Sequence, residues 1–347
     1  MLEPKHFRAT RRGETVETTS TATVSATKAV LRRAAEHASL APSVHNSQPW
    51  TFVLRHGALD IRLDPARRLP LLDPRGRQMM ISCGCAVLNA RVAIGASGYV
   101  PCVERFPDPA DPNVVARLTV GAARPYGRDA ALDRAVDRRH TNRRTFVDEP
   151  VPAGLIAELT SITRNEGATL VPVTSPQDRA LVAELMAVAR RIESDDPEYL
   201  QELWAWTTDD PRRVDGVQAA TVPYHGEAAP DLGHSPVRPF DLRSMGWLPA
   251  APQPARNECL MVLCSHTDDP SSWLRVGEAL EHVWLELTDR AYWASPIGEP
   301  IEVRTTAQLL RDGLRLSEFP HLMMRVGRAP DVPRTRRRPE SDVIVQI

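Results

Sequence analysis

Ala41-Pro42-Ser43-Val44-His45-Asn46-Ser47-Gln48-Pro49-Trp50 stands between two segments of opposite character. Before it, Ser25 to Leu40 places Val30, Ala34 and Ala38, and Leu31 and Ala35, at spacings of four, which predicts a helix. After it, Trp50 to Arg55 and Leu59 to Leu63 alternate apolar and polar around His56-Gly57-Ala58, which predicts a hairpin. A helix that stops at a proline leaves its last carbonyls and the following amides open to other partners. Ser43, Asn46 and Gln48 add short polar side chains, and Pro42 and Pro49 stiffen the ends. Such a turn suits the edge of a flat ring bearing C=O and N–H groups. His45 reads first as a helix-cap residue, with a place facing that ring as the alternative.

The chain has 347 residues, enough for two ordinary cores or one large one, and a formal net charge of −1. No global field draws it to nucleic acid or membrane, and local basic clusters stand out. Its five cysteines are odd in number and scattered in apolar runs, which points to buried thiols in a reducing cytoplasm. Cys83 and Cys85 lie two apart in a helical pattern, on different faces, so they form no metal clip. No apolar run reads as long enough to span a bilayer, and no secretory signal follows Arg11-Arg12.

Residues 1–24 read as a mobile arm, 25–126 as a first half and 127–347 as a second. In the first, a helix over Arg77 to Gly98 is followed by strands over Val100 to Phe106 and Val114 to Val120. In the second, helices are expected over Ala130 to Arg139, Pro152 to Asn165, Ser175 to Arg191 and Glu198 to Trp206. Strands are expected over Thr169 to Val173, Asn257 to Ser265 and His321 to Val326, with a long helix over Trp273 to Ala294. Residues 207–253 show no period, and a loop that long suggests a lid. The similar element order of the two halves suggests a tandem duplication.

Three further stretches carry chemistry. Arg138-Arg139-His140-Thr141-Asn142-Arg143-Arg144-Thr145-Phe146 precedes Pro150-Val151-Pro152. Arg334-Thr335-Arg336-Arg337-Arg338-Pro339 forms a basic tail. Ala294-Ser295-Pro296-Ile297-Gly298-Glu299-Pro300 follows the long helix. With Pro42-Ser43…Asn46-Ser47-Gln48-Pro49-Trp50, these resemble the signatures of the nitroreductase family of FMN-binding flavoproteins, and in particular its Acg-like branch.

The resemblance implies an α+β, nitroreductase-like fold: two fused halves like an intramolecular dimer, with mixed sheets flanked by helices. It implies one FMN per chain, NAD(P)H as reductant, and a nitro compound, quinone or similar small-molecule acceptor. Pro42, Ser43, Asn46 and Gln48 would meet the flavin. Arg139 and Arg143 would serve phosphate and ring, with Arg144 an alternative to Arg143 and with His140 and Thr141 contacting the chain between. Arg336, Arg337 or Arg338 would reach the phosphate, and Gly298 would allow close approach. A phosphate calls for forked guanidinium donors, and a nearby cation raises a flavin's potential. No catalytic acid–base pair and no metal site is expected. The chain would be a cytoplasmic monomer that mimics a dimer, with further self-association open. Two rivals stand beside this reading: a protein that stores FMN without turnover, and a nucleic-acid binder using the basic tail. Low aromatic content (5%) argues against the second.

Overall fold

The computed structural model describes residues 14–144, 146–222 and 259–347. The first half contains α1 (Glu14–Ser39), β1 (Trp50–Arg55), β2 (Ala58–Leu63), α2 (Arg77–Ala96), β3 (Tyr99–Arg105) and β4 (Val114–Ala123). Then come α3 (Asp129–Val136), α4 (Ala153–Asn165), β5 (Thr169–Val173), α5 (Pro176–Ser194), α6 (Pro197–Ala205), β6 (Thr207–Thr208) and β7 (Val217–Gln218). The chain closes with β8 (Cys259–Ser265), α7 (Pro270–Asp289), β9 (Trp293–Ile297), α8 (Glu299–Glu302), α9 (Arg304–Gly313), β10 (Phe319–Gly327), α10 (Glu340–Val343) and β11 (Ile344–Gln346). The class is α+β, as expected. Helix α1 starts within the stretch read as an arm, and residues 1–13 and most of the expected lid, 223–253, lie outside the described residues.

The strands form two main sheets, ordered β11-β1-β2-β4-β3 and β5-β8-β10-β9; β11, from the expected second half, completes the first sheet. The first is mixed only because β11 runs parallel to β1, with Phe52 beside Ile344 and Leu54 beside Gln346; the second is antiparallel throughout. Each half therefore repeats one plan: helix, strand, strand, long helix, strand, strand, with sheet order first-second-fourth-third. The two-residue hairpin turn of the first half is replaced in the second by everything between β5 and β8.

Helices α2 and α7 pack against each other between the sheets. Both are largely buried, and the main core cluster draws on both halves, from Trp50, Phe52 and Ile61 to Met261, Trp284 and Val326. Their crossing is made by two glycines. A Cβ on Gly84 would strike the Leu274 carbonyl and come within 2.8 Å of the Gly277 Cα. A Cβ on Gly277 would strike the Ile81 carbonyl and come within 2.8 Å of the Gly84 Cα. Each glycine thus meets the other and the residue one turn before it, the reciprocity of a two-fold contact.

Two further expectations are corrected. Helix α2 is long and apolar enough to cross a membrane by length and composition, contrary to the sequence reading, but 89% of that window is buried inside the protein. Its apolar faces are covered by α1, α7 and the first sheet. The long helix ends at Asp289 rather than Ala294, because Ala291 turns into the left-handed region (φ 58°) and the Tyr292 N–H bonds back to the Leu287 carbonyl (2.9 Å). The next residues form edge strand β9 against β10.

Candidate functional site

The turn after α1 is bent by His45, Asn46 and Gln48, all at positive φ (48°, 53° and 49°). Such backbone is costly away from glycine and needs fixing from outside. Ser43 Oγ accepts from the Gln48 N–H (2.9 Å), and Ser82 Oγ on α2 accepts from the Val44 N–H (3.1 Å). The Asn46 amide donates to the Gly216 and Arg336 carbonyls (3.1 Å each) and accepts from Arg337 Nη1 (3.0 Å). Gln48 accepts from the Arg338 N–H (2.7 Å) and donates to the Val214 carbonyl (3.0 Å). The polar side chains therefore pin the turn to the tail and to the start of the long insert.

Beside this turn lies a cleft with about 860 Å³ of empty space, its open mouth included. One wall is Pro42, Ser43, Val44 and His45; α2 supplies Gln78, Ile81, Ser82 and Cys85. Helix α7 adds Leu280 and Trp284, and β10 adds Leu322. Opposite stand Thr141, Arg143, Ser295, Pro296 and Gly298, with Glu299 and Glu302, and Val217 comes from the insert. Thr141 is fixed there by bridging to Ala294 on the free edge of β9, where the Asn142 N–H also bonds (3.2 Å). Trp284 is buried, and its Nε1 has no hydrogen-bond partner among the described residues. A buried donor at a cleft wall is a place for a ligand acceptor.

The cleft thus gathers Pro42, Ser43, Thr141, Arg143 and Gly298 from distant parts of the chain. Arg143, not Arg144, is the cation in the wall; its burial, then the neighbouring Arg325 charge, pushes it down to about 10. His45 lines the cleft rather than serving only as a cap. Asn46 and Gln48 do not line it, because their amides are committed to the tail and insert. His140 lies behind the wall, donating to the Arg138 carbonyl (2.8 Å), 3.1 Å from Asp331 and packed on Trp293, and burial lowers its basicity. Arg336 is exposed and bonds Gln218 Oε1 through its N–H (3.0 Å), while Arg338 sits between Gln48 and Asp64. Trp206 does not line the cleft but lies under Arg67 and Arg213, its carbonyl accepting from the N–H of the cleft-lining Val217 (2.8 Å). Tyr224 is outside the described residues.

Arg139 and Arg337 converge elsewhere than on the cleft surface. Both donate to the Leu40 carbonyl at the end of α1 (3.1 and 3.2 Å). Arg139, 4% exposed, stands 3.0 Å from the fully buried Glu281 of α7 and over the Trp284 ring at 4.8 Å. Burial, working against the two guanidiniums, pushes the Glu281 carboxyl up to about 7. Sequence reasoning missed Glu281; its one signal was a carboxylate amid Leu280, Val283 and Trp284 on an apolar helix face.

Fold and cleft define an α+β protein with two main sheets and a cleft lined from both long helices, α2 and α7. The chain belongs to the NAD(P)H nitroreductase family: it is 34% identical over 313 residues to "Putative NAD(P)H nitroreductase Rv3131" of Mycobacterium tuberculosis, covering 88% of each chain. It is also 26% identical over 336 residues to "Putative NAD(P)H nitroreductase acg" of the same species, covering 90% of this chain and 95% of that one. No protein-family model matches the chain. Among solved structures, a nitroreductase with bound FMN from Desulfitobacterium hafniense aligns over 62% of this chain and 98% of its own, with TM-score 0.40 and 11% identity. NfnB of Mycobacterium smegmatis, solved with NADPH, aligns over 61% and 96%, with TM-score 0.39 and 14% identity. Those two likenesses are too loose to bear on chemistry.

Proposed function

We propose that the chain is an FMN-dependent oxidoreductase that takes hydride from NAD(P)H and passes electrons to a small nitro, quinone or similar acceptor. The observation that carries this reading is the convergence of Ser43, Thr141, Arg143 and Gly298 on one cleft floored by Leu280, Trp284 and Leu322. These residues fit a flavin: apolar and aromatic surface for its ring, the unpartnered Trp284 Nε1 for an acceptor, and Arg143 for negative charge. When bound, the flavin supplies the hydride and electron chemistry; the protein supplies position and charge. Cys83 and Cys85 are free buried thiols, which suits the cytoplasm.

We read the two-fold plan as a fused dimer in which only one of the two flavin sites is kept. Counting along α2 and α7 from the paired glycines, Cys85 corresponds to Glu278 and Arg91 to Trp284. Cys85 and Trp284 line the cleft. Their counterparts instead form an ion pair, Arg91–Glu278 at 2.6 Å, joined by Arg105 (2.6 Å), Glu166 (2.7 Å) and, through Glu166, His282 (2.8 Å). The site that symmetry would repeat is filled by charge.

The protein should bind FMN when purified with it, turning yellow, and NADPH or NADH should bleach it without oxygen. Bleaching by dithionite alone would favour storage of FMN, a reading supported by Val217, through which the insert reaches the cleft. A protein that binds no flavin would defeat both.

A further inference from the structure

A second cleft adjoins the first. It encloses about 1360 Å³ of empty space, its open mouth included, and Glu302 at the end of α8 lines both. One wall is a face of α9, where Arg304, Ala307, Gln308 and Arg311 recur at spacings of three and four and so share one side of the helix. Arg75 and Arg77, around the start of α2, add two more guanidiniums. Three carboxylates also line the cleft, but two are committed. Asp73 accepts from the Met79 N–H (2.8 Å), and Asp268 takes Arg75 (2.6 Å) and the Trp273 Nε1–H (2.8 Å). That leaves Glu302 against three cations. Arg304 is exposed, with no ion pair among the described residues. Arg311 lies over the Phe319 ring (4.1 Å) and donates to the Ser317 carbonyl (3.2 Å). Arg77 donates to the Ile301 carbonyl (2.9 Å), while its buried Nε has no acceptor among the described residues. A guanidinium carries five donors, so most of these are unspent.

We propose that this second cleft binds a nucleotide carrying two separated phosphoryl groups, the chemistry of adenosine 2′,5′-bisphosphate. Forked guanidinium donors match phosphate oxygens. Arg304 and Arg311 stand two turns, roughly 10 Å, apart along α9, a spacing that suits two anionic groups rather than one. The Arg311–Phe319 stack offers a flat surface of the kind on which bases pack. Such a ligand has two sources: the adenosine end of NADPH, with the rest of that molecule reaching the first cleft past Glu302, or a free nucleotide. The first source rests on the flavin reading above; the site itself does not.

The test is a calorimetric titration of the full chain with adenosine 2′,5′-bisphosphate, with adenosine as the phosphate-free control. The bisphosphate should bind at least about tenfold tighter than adenosine, and the margin should shrink as salt rises. Arg304→Gln combined with Arg311→Gln should weaken it by at least about tenfold. Arg304→Gln alone, at an exposed side chain that the fold does not need, should move it in the same direction. Arg275→Gln, at an exposed arginine of α7 outside both clefts, should leave it unchanged. Displacement of the bisphosphate by NADPH but not by NADH would assign the site to the reductant, and displacement by neither would assign it to a free nucleotide. Equal affinity for adenosine and the bisphosphate, or unchanged bisphosphate affinity in the arginine variants, would overturn the inference and leave the flavin reading standing. A chain that binds the bisphosphate but no flavin would do the reverse.

Discussion

Arg139 shows how a residue's surroundings change what its substitution reports. By resemblance it would hold phosphate; in the structure it is the near partner of a fully buried carboxylate. Removing one member of a buried ion pair strands the other, typically at about 3–5 kcal/mol. Arg139→Ala should therefore lower the unfolding midpoint in urea, whereas the exposed Arg32→Ala should cost under about 1 kcal/mol. Arg143→Gln, in the cleft wall, is the cleaner probe of flavin affinity. Glu166 gives a pH signature. Burial works to raise its carboxyl, but the His282 hydrogen bond and the Arg91 charge overcome this and hold it at about 2 against an ordinary 4.5. A depressed carboxylate stabilises the fold above its unfolded value, and that stability drains away as pH falls from about 4.5 toward 2. Glu166→Gln should thus be up to about 3 kcal/mol less stable than wild type at pH 6 and nearly equal to it at pH 2, read by urea unfolding.

At the scale of elements, the α2–α7 crossing makes the sharpest claim. Gly277→Ala would drive a methyl into the Ile81 carbonyl, backbone that cannot swing aside, and should cost about 3 kcal/mol or more in thermal unfolding. Gly154→Ala, in α4 with nothing within 4 Å of the added carbon, should instead be neutral or stabilising by up to about 1 kcal/mol. The same scale explains what could be read beforehand. Strands β1, β2 and β5 were legible because alternation is local and their bounds fall near turn residues. Strand β9 was not: Pro296 interrupts it, and its edges are set by Thr141 and β10, remote in sequence. The three residues of β11 carry no period at all and exist because β1 offers an edge. Cleft residues announced by a motif, such as Ser43 and Thr141, were visible. Those on α7 were hidden in a stripe that reads as core, and the committed amides of Asn46 and Gln48 depend on a tail almost 300 positions away.

At the scale of the molecule, the tail closes the structure. It leaves β10, passes Arg337 and Arg338 under the α1 turn, and ends as a strand beside β1, with Val343 buried at 1% exposure. Deleting residues 340–347 should expose the β1 edge, lower the thermal midpoint and promote association between chains, measurable by calorimetry and light scattering. The same truncation should also loosen the Asn46–Gln48 turn, and with it one wall of the cleft.

That placement has a consequence for biosynthesis. The first sheet borrows its outer strand from residues translated almost 300 positions after β1, so the N-terminal half leaves the ribosome with an unpaired edge. It acquires that partner only once Ile344–Gln346 have emerged, and during that interval β1 is exposed to pairing with another nascent chain.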